Sequence, residues 1–554
     1  MSFFNVLVSC FITSLFFYSF GNISNKFFFK IAKDDEVIEN YIIGIVSISF
    51  LALASNFFVS LNIYYNSIIL IICLFYLTRI KKNIIIKTIK YSLLISLISL
   101  VTISLDNINR PDAGLYHLPY IRILNEFPII IGSANLNERF GVNSIIQYIS
   151  AINLNFVSEE NGILTPLVII YSVVIIFFLE QTLKKENENF LRAISFLFFS
   201  FILINMNRYS GFGNDAPVQM FYFLIIFYFL KQCNKININN NYKFLALLSL
   251  FAFFIKPFFL IASILVLIFM INNLKNIILF NSSIIFLFFI FLLWLIKNVL
   301  VSGCIIYPFE LSCLNNLSWV TNTASSFSLE SEAWSKGWPD SNKLLNYKDY
   351  LIGFGWVFTW IDNHFKLILE KSAPFLILII ILSIVILFRN KINNLKKRKE
   401  LYQLIIFNFL FLFIWFFSFP AYRFGSGIIC TFLSLIFIYL FYNKLNMDDK
   451  LFYKTIISLT VILCISILTK NIYRIHNSYN LIYVDYPWPK KNSSNILNTK
   501  NENKIIIKNN KFLYYYSEND LCYYNAPPCT HKNINIRKES LLNFYVKYVV
   551  DNKD

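Results

Sequence analysis

A short stretch rich in ionisable side chains stands between long apolar runs: RPDAGLYHLPYIRILNEF, residues 110–127. Asp112 follows a proline and precedes an amphipathic run. One expectation is therefore a helix N-cap, in which the carboxylate accepts hydrogen bonds from free backbone N–H groups. The other is a general base, which takes a proton from an acceptor hydroxyl. The two roles are compatible in one residue.

Three isolated cations interrupt apolar sequence further along the chain: Lys256 in FFIKPFFL, Lys297 in WLIKNVL and Arg423 in FPAYRFGSG. Ionisable groups at a membrane edge are costly unless they are paired or solvated, so each is a candidate site residue. Each could instead snorkel, with its charge at the interface and its stem in lipid. Three cations at the outer ends of different helices, facing a loop carboxylate, together predict an anion site suited to a phosphate group.

The composition identifies the environment in which these residues work. Of 554 residues, 57% are hydrophobic and 14% are charged, which is typical of a membrane protein rather than a soluble domain. Apolar runs that can cross a hydrocarbon core of about 30 Å predict an all-α polytopic fold, because helices satisfy their own backbone in lipid. We expect about fourteen spans, near Phe3–Phe20, Tyr41–Ser60, Tyr64–Thr78, Tyr91–Leu105, Gly162–Leu179, Phe190–Met206, Pro217–Leu230, Phe244–Ile255, Pro257–Ile271, Ile277–Ile296, Pro374–Phe388, Tyr402–Phe419, Gly427–Tyr442 and Thr455–Leu468. The pair that meets at Lys256 is alternatively one broken or re-entrant helix.

The net charge of +18 comes from Lys and Arg residues that are concentrated in connectors between the spans. This distribution predicts membrane topology rather than nucleic-acid binding. Basic connectors lie at residues 79–90, 184–185, 231–243 and 389–399. By the positive-inside rule they face the cytoplasm. Both termini and all the candidate site residues then lie on the outer face. The first apolar run lacks a basic leader and a small-residue cleavage site, so we expect it to remain as a span.

Four of the nine cysteines fall on the predicted outer face, in two close pairs. Cys304 lies near Cys313, and Cys522 lies near Cys529. Such spacing is typical of short-loop disulfides in an oxidising compartment, with free thiols as the alternative. A zinc site is less favoured because a closed site needs four ligands and His531 is the only histidine close to either pair.

The chain divides into alternating membrane and outer-face parts. Residues 1–105, 162–301 and 373–470 form transmembrane helices. Residues 106–161 form an outer loop with amphipathic helices and Asp112, and residues 302–372 form a longer outer loop. Residues 471–554, in which short β-prone runs alternate with turn residues, predict a small outer domain of β or mixed α/β structure.

The stretch DAGLYHLPYIRILNEFPIIIGSANLNERFGVNSIIQYISA resembles the first large outer loop of uncharacterised bacterial multi-spanning proteins related to the GT-C glycosyltransferases. Those relatives include lipid A aminoarabinose transferases and protein O-mannosyltransferases. Further similar stretches are GNDAPVQMFYFL, FFIKPFFL, WLIKNVLVSGCIIYPF, FPAYRFGSGI and LCYYNAPPCT. The resemblance runs in order from Asp106 to Thr530, and the first hundred residues lie outside it.

The resemblance implies an enzyme of the bacterial cytoplasmic membrane that transfers a sugar from a polyprenyl-phosphate carrier to a hydroxyl on a glycan, lipid or protein, as in envelope polysaccharide synthesis. It implies Asp112 as the base, with Tyr116 and His117 shaping the site. It implies that Lys256, Lys297 and Arg423 bind the donor phosphate, and that Asp215 is a second acidic position. No cofactor is expected, and dependence on a divalent metal is left open.

Two departures from the GT-C pattern stand in the sequence. The loop follows about four spans rather than one, and Ala113 occupies the position where many GT-C enzymes carry a second acid. The alternatives are a transporter or flippase of lipid-linked glycans, which would show paired broken helices, a polysaccharide polymerase that uses a pyrophosphate donor, and a non-catalytic assembly component.

Overall fold

The computed structural model describes residues 3–33, 36–104, 110–142, 144–231, 238–273, 281–341, 345–388, 399–445, 450–477, 504–508, 511–517, 521–532, 534, 536–541 and 545–550. Asp106, Cys233 and the basic connector at 389–398 lie outside the described residues. The described part consists mainly of helices, with a small strand region near the C-terminal end. A helical membrane fold is thus confirmed in its coarse form.

The described residues form twenty α-helices. The first ten are α1 (Phe3–Ser24), α2 (Val37–Asn56), α3 (Ile63–Leu77), α4 (Lys82–Ser104), α5 (Leu118–Glu126), α6 (Glu138–Gly141), α7 (Ile145–Ile152), α8 (Thr165–Leu183), α9 (Asn189–Asn205) and α10 (Asp215–Lys231). The others are α11 (Ile238–Ile255), α12 (Ser263–Asn273), α13 (Ser282–Ser302), α14 (Ala324–Ser335), α15 (Tyr347–Tyr350), α16 (Trp356–Trp360), α17 (Lys366–Leu387), α18 (Lys399–Ser418), α19 (Tyr422–Leu445) and α20 (Lys450–Asn477).

Each predicted span coincides with a helix, but the helices differ in length. In the described part of the chain, nine helices are long and apolar enough to cross a membrane. Four shorter apolar helices, of 10–17 residues, are Ile63–Leu77, Asn189–Asn205, Asn240–Ile255 and Pro257–Asn273. At 1.5 Å per residue these fall short of a core of about 30 Å. The length and composition of the nine long helices therefore indicate a multi-pass membrane protein. The count of fourteen spans stays a prediction.

The centre of the bundle consists of helices that are apolar around their whole circumference. In α2, α8 and α10 nearly all side chains are buried, as expected for helices surrounded by other helices. Helix α1 crosses α2 at two glycines. A Cβ on Gly21 would lie 1.9 Å from the Asn40 carbonyl oxygen, and one on Gly44 would lie 1.8 Å from that of Phe17. Small residues let these two backbones approach closely.

Peripheral helices expose apolar side chains on one face only. On α13 the exposed side chains are Ile285, Phe288, Phe289, Leu292 and Ile296. Their spacing of three or four residues places them on one side of the helix. The opposite side, with Leu287, Ile290 and Trp294, is buried in the bundle. A continuous apolar face of this kind is what a lipid-facing helix requires.

The strand region forms two small sheets. Strands β1 (Lys504–Lys508), β2 (Lys511–Tyr516) and β3 (Cys529–Thr530) lie in the order β1-β2-β3. The first two pair antiparallel, with Lys504 opposite Tyr516, and β3 joins β2 in parallel. Strands β4 (Ile536–Leu541) and β5 (Tyr545–Val550) form an antiparallel pair with Ile536 opposite Val550.

The strand region is attached by hydrogen bonds to the segment 110–142, which carries Asp112. The N–H of Ile131 donates to Val546 O, and the N–H of Tyr548 donates to Ile131 O, each at 2.9 Å. Further along the segment, Thr530 Oγ1 donates to Leu136 O at 2.8 Å. The segment that carries Asp112 is therefore tied directly to the strand region.

Candidate functional site

Four of the sequence-predicted site residues meet at one end of the bundle. Lys256 Nζ lies 2.7 Å from Asp215 Oδ1. Arg423 lies between the two carboxylates, with its Nε 3.8 Å from Asp215 Oδ2 and its Nη1 3.6 Å from Asp112 Oδ2. These side chains come from four separate segments of the chain. We call Asp112, Asp215, Lys256 and Arg423 the charged cluster.

Asp112 precedes an unusual helical turn. Residues Ala113–His117 form a π-helical turn that continues directly into α5. The side chain of Asp112 makes no capping hydrogen bond to that turn, although Asp112 occupies the N-cap position. About half of it is accessible, with 45% of the side chain exposed. The carboxylate is thus not used as a side-chain cap and faces Arg423, and π-helical turns of this kind are frequent at functional sites.

Asp215 and Lys256 are placed by the ends of two neighbouring helices. Asp215 is the first residue of α10, where a carboxylate suits the positive end of the helix dipole. Lys256 has an extended backbone between the end of α11 and the 3₁₀ turn Pro257–Ala262. The predicted interruption at Lys256 is therefore present. It directs the ammonium group over the ring of Phe424, with Nζ 3.4 Å from the ring centroid.

Arg423 is held by a glutamine that sequence reasoning missed. Gln219 Nε2 donates to the Arg423 carbonyl oxygen at 2.6 Å. Its Oε1 accepts hydrogen bonds from the Ser426 hydroxyl at 2.7 Å and from the Gly427 N–H at 2.8 Å. Gln219 follows Asp215 by four residues and so lies on the same face of α10. This spacing was the signal in the sequence that could have identified it.

Tyr116 and His117 lie beside the charged cluster at different depths. Tyr116 is partly buried, and its ring lies 4.2 Å from that of His117. Burial raises the pKa of Tyr116 above its ordinary value, and the charge of Asp112 raises it further. Burial lowers the pKa of His117 to about 3, with the charge of Asp215 acting in the opposite sense. His117 is the last residue of the π-helical turn, and its buried ring links the turn to α7, with Nδ1 3.4 Å from Gln147 Nε2.

Lys297 occupies a different environment from Lys256 and Arg423. It lies within α13 and is fully buried. Its Nζ lies 3.6 Å from the centroid of the Trp294 ring and has no hydrogen-bond partner among the described residues. A cation–π contact is the interaction that the structure provides for this group. Its predicted role in phosphate binding stays a prediction.

Both cysteine pairs that the sequence singled out are joined in the structure. One disulfide links Cys304 to Cys313 and the other links Cys522 to Cys529. The second closes a loop whose backbone contacts the turn after Asp112, because the N–H groups of Cys522 and Tyr523 both donate to Gly114 O at 3.0 Å. A Cβ on Gly114 would lie 2.9 Å from the Tyr523 ring, so this close approach requires glycine.

The charged cluster is chemically suited to anion binding and proton transfer. It contains two carboxylates and two cations, all at least one-quarter exposed. A phosphate group could replace a carboxylate as the partner of Lys256 and Arg423. Within the described ranges, no group of three or more His, Cys, Asp or Glu side chains is arranged to hold a metal ion.

A comparison with protein families matches most of the chain. A family model described as Domain of unknown function (DUF8201) covers residues 4–430. The chain belongs to this family. The family match contains all four residues of the charged cluster, whereas the Cys522–Cys529 loop lies beyond it. None of the curated proteins matches the chain, and no solved structure matches it.

Proposed function

We propose that this member of the family is a membrane glycosyltransferase. It transfers a sugar from a polyprenyl-phosphate donor to a hydroxyl acceptor, on the outer face of the bacterial cytoplasmic membrane. The observation that supports the proposal is the charged cluster, in which Arg423 lies within 4 Å of both Asp112 and Asp215. A base and two cations at one membrane edge are the parts that such a transfer needs.

The reaction assigns a separate role to each side of the cluster. Asp112 takes the proton of the acceptor hydroxyl as the acceptor oxygen forms its bond to the anomeric carbon. The bond from that carbon to the phosphate oxygen breaks, and its electron pair leaves with polyprenyl phosphate. Lys256 and Arg423 stabilise the negative charge that develops on the phosphate. Direct displacement inverts the anomeric centre.

The positions of the four residues support this division of roles. Lys256 and Asp215 lie at the ends of bundle helices and are about one-quarter exposed, so a lipid-linked phosphate reaches them from the membrane edge. Asp112 lies in the outer loop and is 45% exposed, so an acceptor reaches it from outside. Arg423 joins the two sides, and the donor phosphate competes with the carboxylates for its guanidinium group.

The test follows cleavage of the donor by the full chain in reconstituted vesicles. The donors are polyprenyl phosphates that carry radiolabelled sugars, supplied as a panel, and the readout is release of polyprenyl phosphate. Asp112→Asn keeps the shape of the side chain and removes the base. We expect it to lower the rate by about 10²- to 10⁴-fold while donor binding is retained.

Glu126→Gln is the matched control. Glu126 is a carboxylate in the same outer loop, 43% exposed and paired with Arg122 at 2.8 Å, so its neutralisation should leave the rate unchanged. Two results contradict the proposal. One is normal turnover by Asp112→Asn. The other is movement of the intact donor across the membrane by wild type without bond cleavage, which indicates a transporter.

A further inference from the structure

Arg139, in the short helix α6, is exposed and contacts two aromatic rings. Its guanidinium carbon is 5.5 Å from the centroid of the Tyr116 ring and 5.1 Å from that of Phe327. The two rings come from different outer segments, since Tyr116 belongs to the first loop and Phe327 to α14 in the second. Aromatic faces attract a planar guanidinium group and hold it in place.

The neighbouring charges are already paired, but Arg139 is not. Glu138, the adjacent acid, lies 2.7 Å from Lys532 Nζ. Arg122, on the same loop, is paired with Glu126. In the described part of the chain no carboxylate forms an ion pair with Arg139. A guanidinium group carries five N–H donors in a planar fork that matches a carboxylate or phosphate.

Tyr116 connects Arg139 to the charged cluster. Tyr116 follows Asp112 by four residues, about one helical turn. The charges of Asp112 and Asp215 raise the pKa of its hydroxyl, and the charges of Arg139 and Arg423 lower it, next to the larger effect of burial. Tyr116 is therefore in contact with Arg139 and is close enough to the charged cluster for the charges of both to act on its hydroxyl.

We propose that Arg139 binds an anionic group of the acceptor, either a carboxylate or a phosphate monoester, carried near the hydroxyl that Asp112 deprotonates. The inference rests on the proposed transfer reaction and names the acceptor class. The donor phosphate occupies Lys256 and Arg423, whereas the acceptor anion occupies Arg139. Contacts with the two aromatic rings restrict the guanidinium group, so recognition depends on geometry as well as on charge.

The test measures binding of three soluble probes built on one sugar scaffold: methyl glucoside, methyl glucuronide and methyl glucoside 6-phosphate. The full chain is placed in nanodiscs that contain saturating polyprenyl phosphate, so that the anion site at Lys256 and Arg423 is filled. Binding is followed by calorimetry. We expect wild type to bind one or both anionic probes at least about tenfold more tightly than the neutral probe, which corresponds to about 1.4 kcal/mol. The two anionic probes distinguish a uronate from a sugar phosphate.

Arg139→Gln should abolish this preference, and Arg139→Lys should restore only part of it because lysine lacks the planar fork. Arg122→Gln is the control, since it removes an arginine of the same loop that is paired with Glu126. Equal binding of the three probes by wild type, or a preference that survives in Arg139→Gln, shows that the inference is wrong. If the preference depends on Arg139 but the donor panel is never cleaved, the transfer reaction is wrong and the anion site stands.

Discussion

The guanidinium group of Arg423 lies 3.6 Å from the carboxylate of Asp112, although 311 residues separate them in the chain. Arg423 is the second residue of α19, and Asp112 directly precedes the π-helical turn that leads into α5. This contact joins one end of a long bundle helix to the segment between α4 and α5.

Replacement of Arg423 should act chiefly on the donor. We expect Arg423→Ala to raise the dissociation constant of polyprenyl phosphate by at least about tenfold, because a charge-assisted contact to the phosphate is lost. Arg423→Lys should recover part of the affinity, since it keeps the charge without the fork. Binding is measured by calorimetry in nanodiscs.

Lys336→Ala is the control for Arg423. Lys336 is also a cation of an outer segment, but it is paired with Glu332 at 2.5 Å and contacts the Trp356 ring. It should leave donor affinity unchanged. Unaltered donor affinity in Arg423→Ala would exclude Arg423 from the donor site.

Buried His117 should make stability depend on pH. Its pKa is about 3 in the folded chain, against an ordinary value of 6.5. Between these values the unfolded chain binds a proton that the folded chain does not, so stability rises with pH in this window. The contribution is fully present above pH 6.5 and is lost by about 1.4 kcal/mol per pH unit as the pH falls towards 3.

The measurement compares apparent melting temperatures at pH 7.5 and pH 5 in detergent. His117→Gln removes the titrating group. The difference between its melting temperatures at the two pH values should therefore be smaller than that of wild type. The exposed His476→Gln is the control and should behave as wild type. An identical pH dependence in His117→Gln and wild type would show that His117 does not carry this effect.

The Cys522–Cys529 loop should hold the turn after Asp112. Two N–H groups of the loop donate to Gly114 O, and Tyr524 Oη donates to Asn125 Oδ1 at 3.0 Å. The double variant Cys522→Ser, Cys529→Ser loosens the loop, so we expect amide hydrogens of residues 110–126 to exchange several-fold faster. Hydrogen exchange read by mass spectrometry measures this directly.

The pair Cys304–Cys313 provides the comparison for that variant. Its disulfide closes a loop of similar length that begins two residues after α13. Among the described residues, the backbone of that loop makes no hydrogen bond to Gly114. Its double serine variant should leave exchange in residues 110–126 unchanged. Equal protection of those residues in both double variants would mean that the helices alone position Asp112.

The sequence determined the helices and the C-terminal strands of this protein, because hydropathy and periodicity are local properties of the chain. Every predicted span contains a helix in its described residues, and the interruption at Lys256 is present. Strands form within the C-terminal segment that was predicted to contain them, although α20 continues to Asn477, beyond the predicted boundary at residue 470. The sequence did not determine the number of membrane spans, because only nine helices in the described residues are long and apolar enough to cross a membrane.

Only the tertiary structure decided which residues form the site. The sequence predicted Asp112 as a base, Lys256, Lys297 and Arg423 as phosphate-binding cations and Asp215 as a second acidic position, but it did not show which of them meet. In the structure the two aspartates meet Lys256 and Arg423, while Lys297 is buried against Trp294. It also left open whether Asp112 caps its helix, and the structure shows a side chain without a capping bond. The reason is physical. Local patterns specify each helix, whereas the neighbours of a helix end depend on contacts between distant segments, such as the Gly21–Gly44 crossing and the bonds of Gln219 to α19.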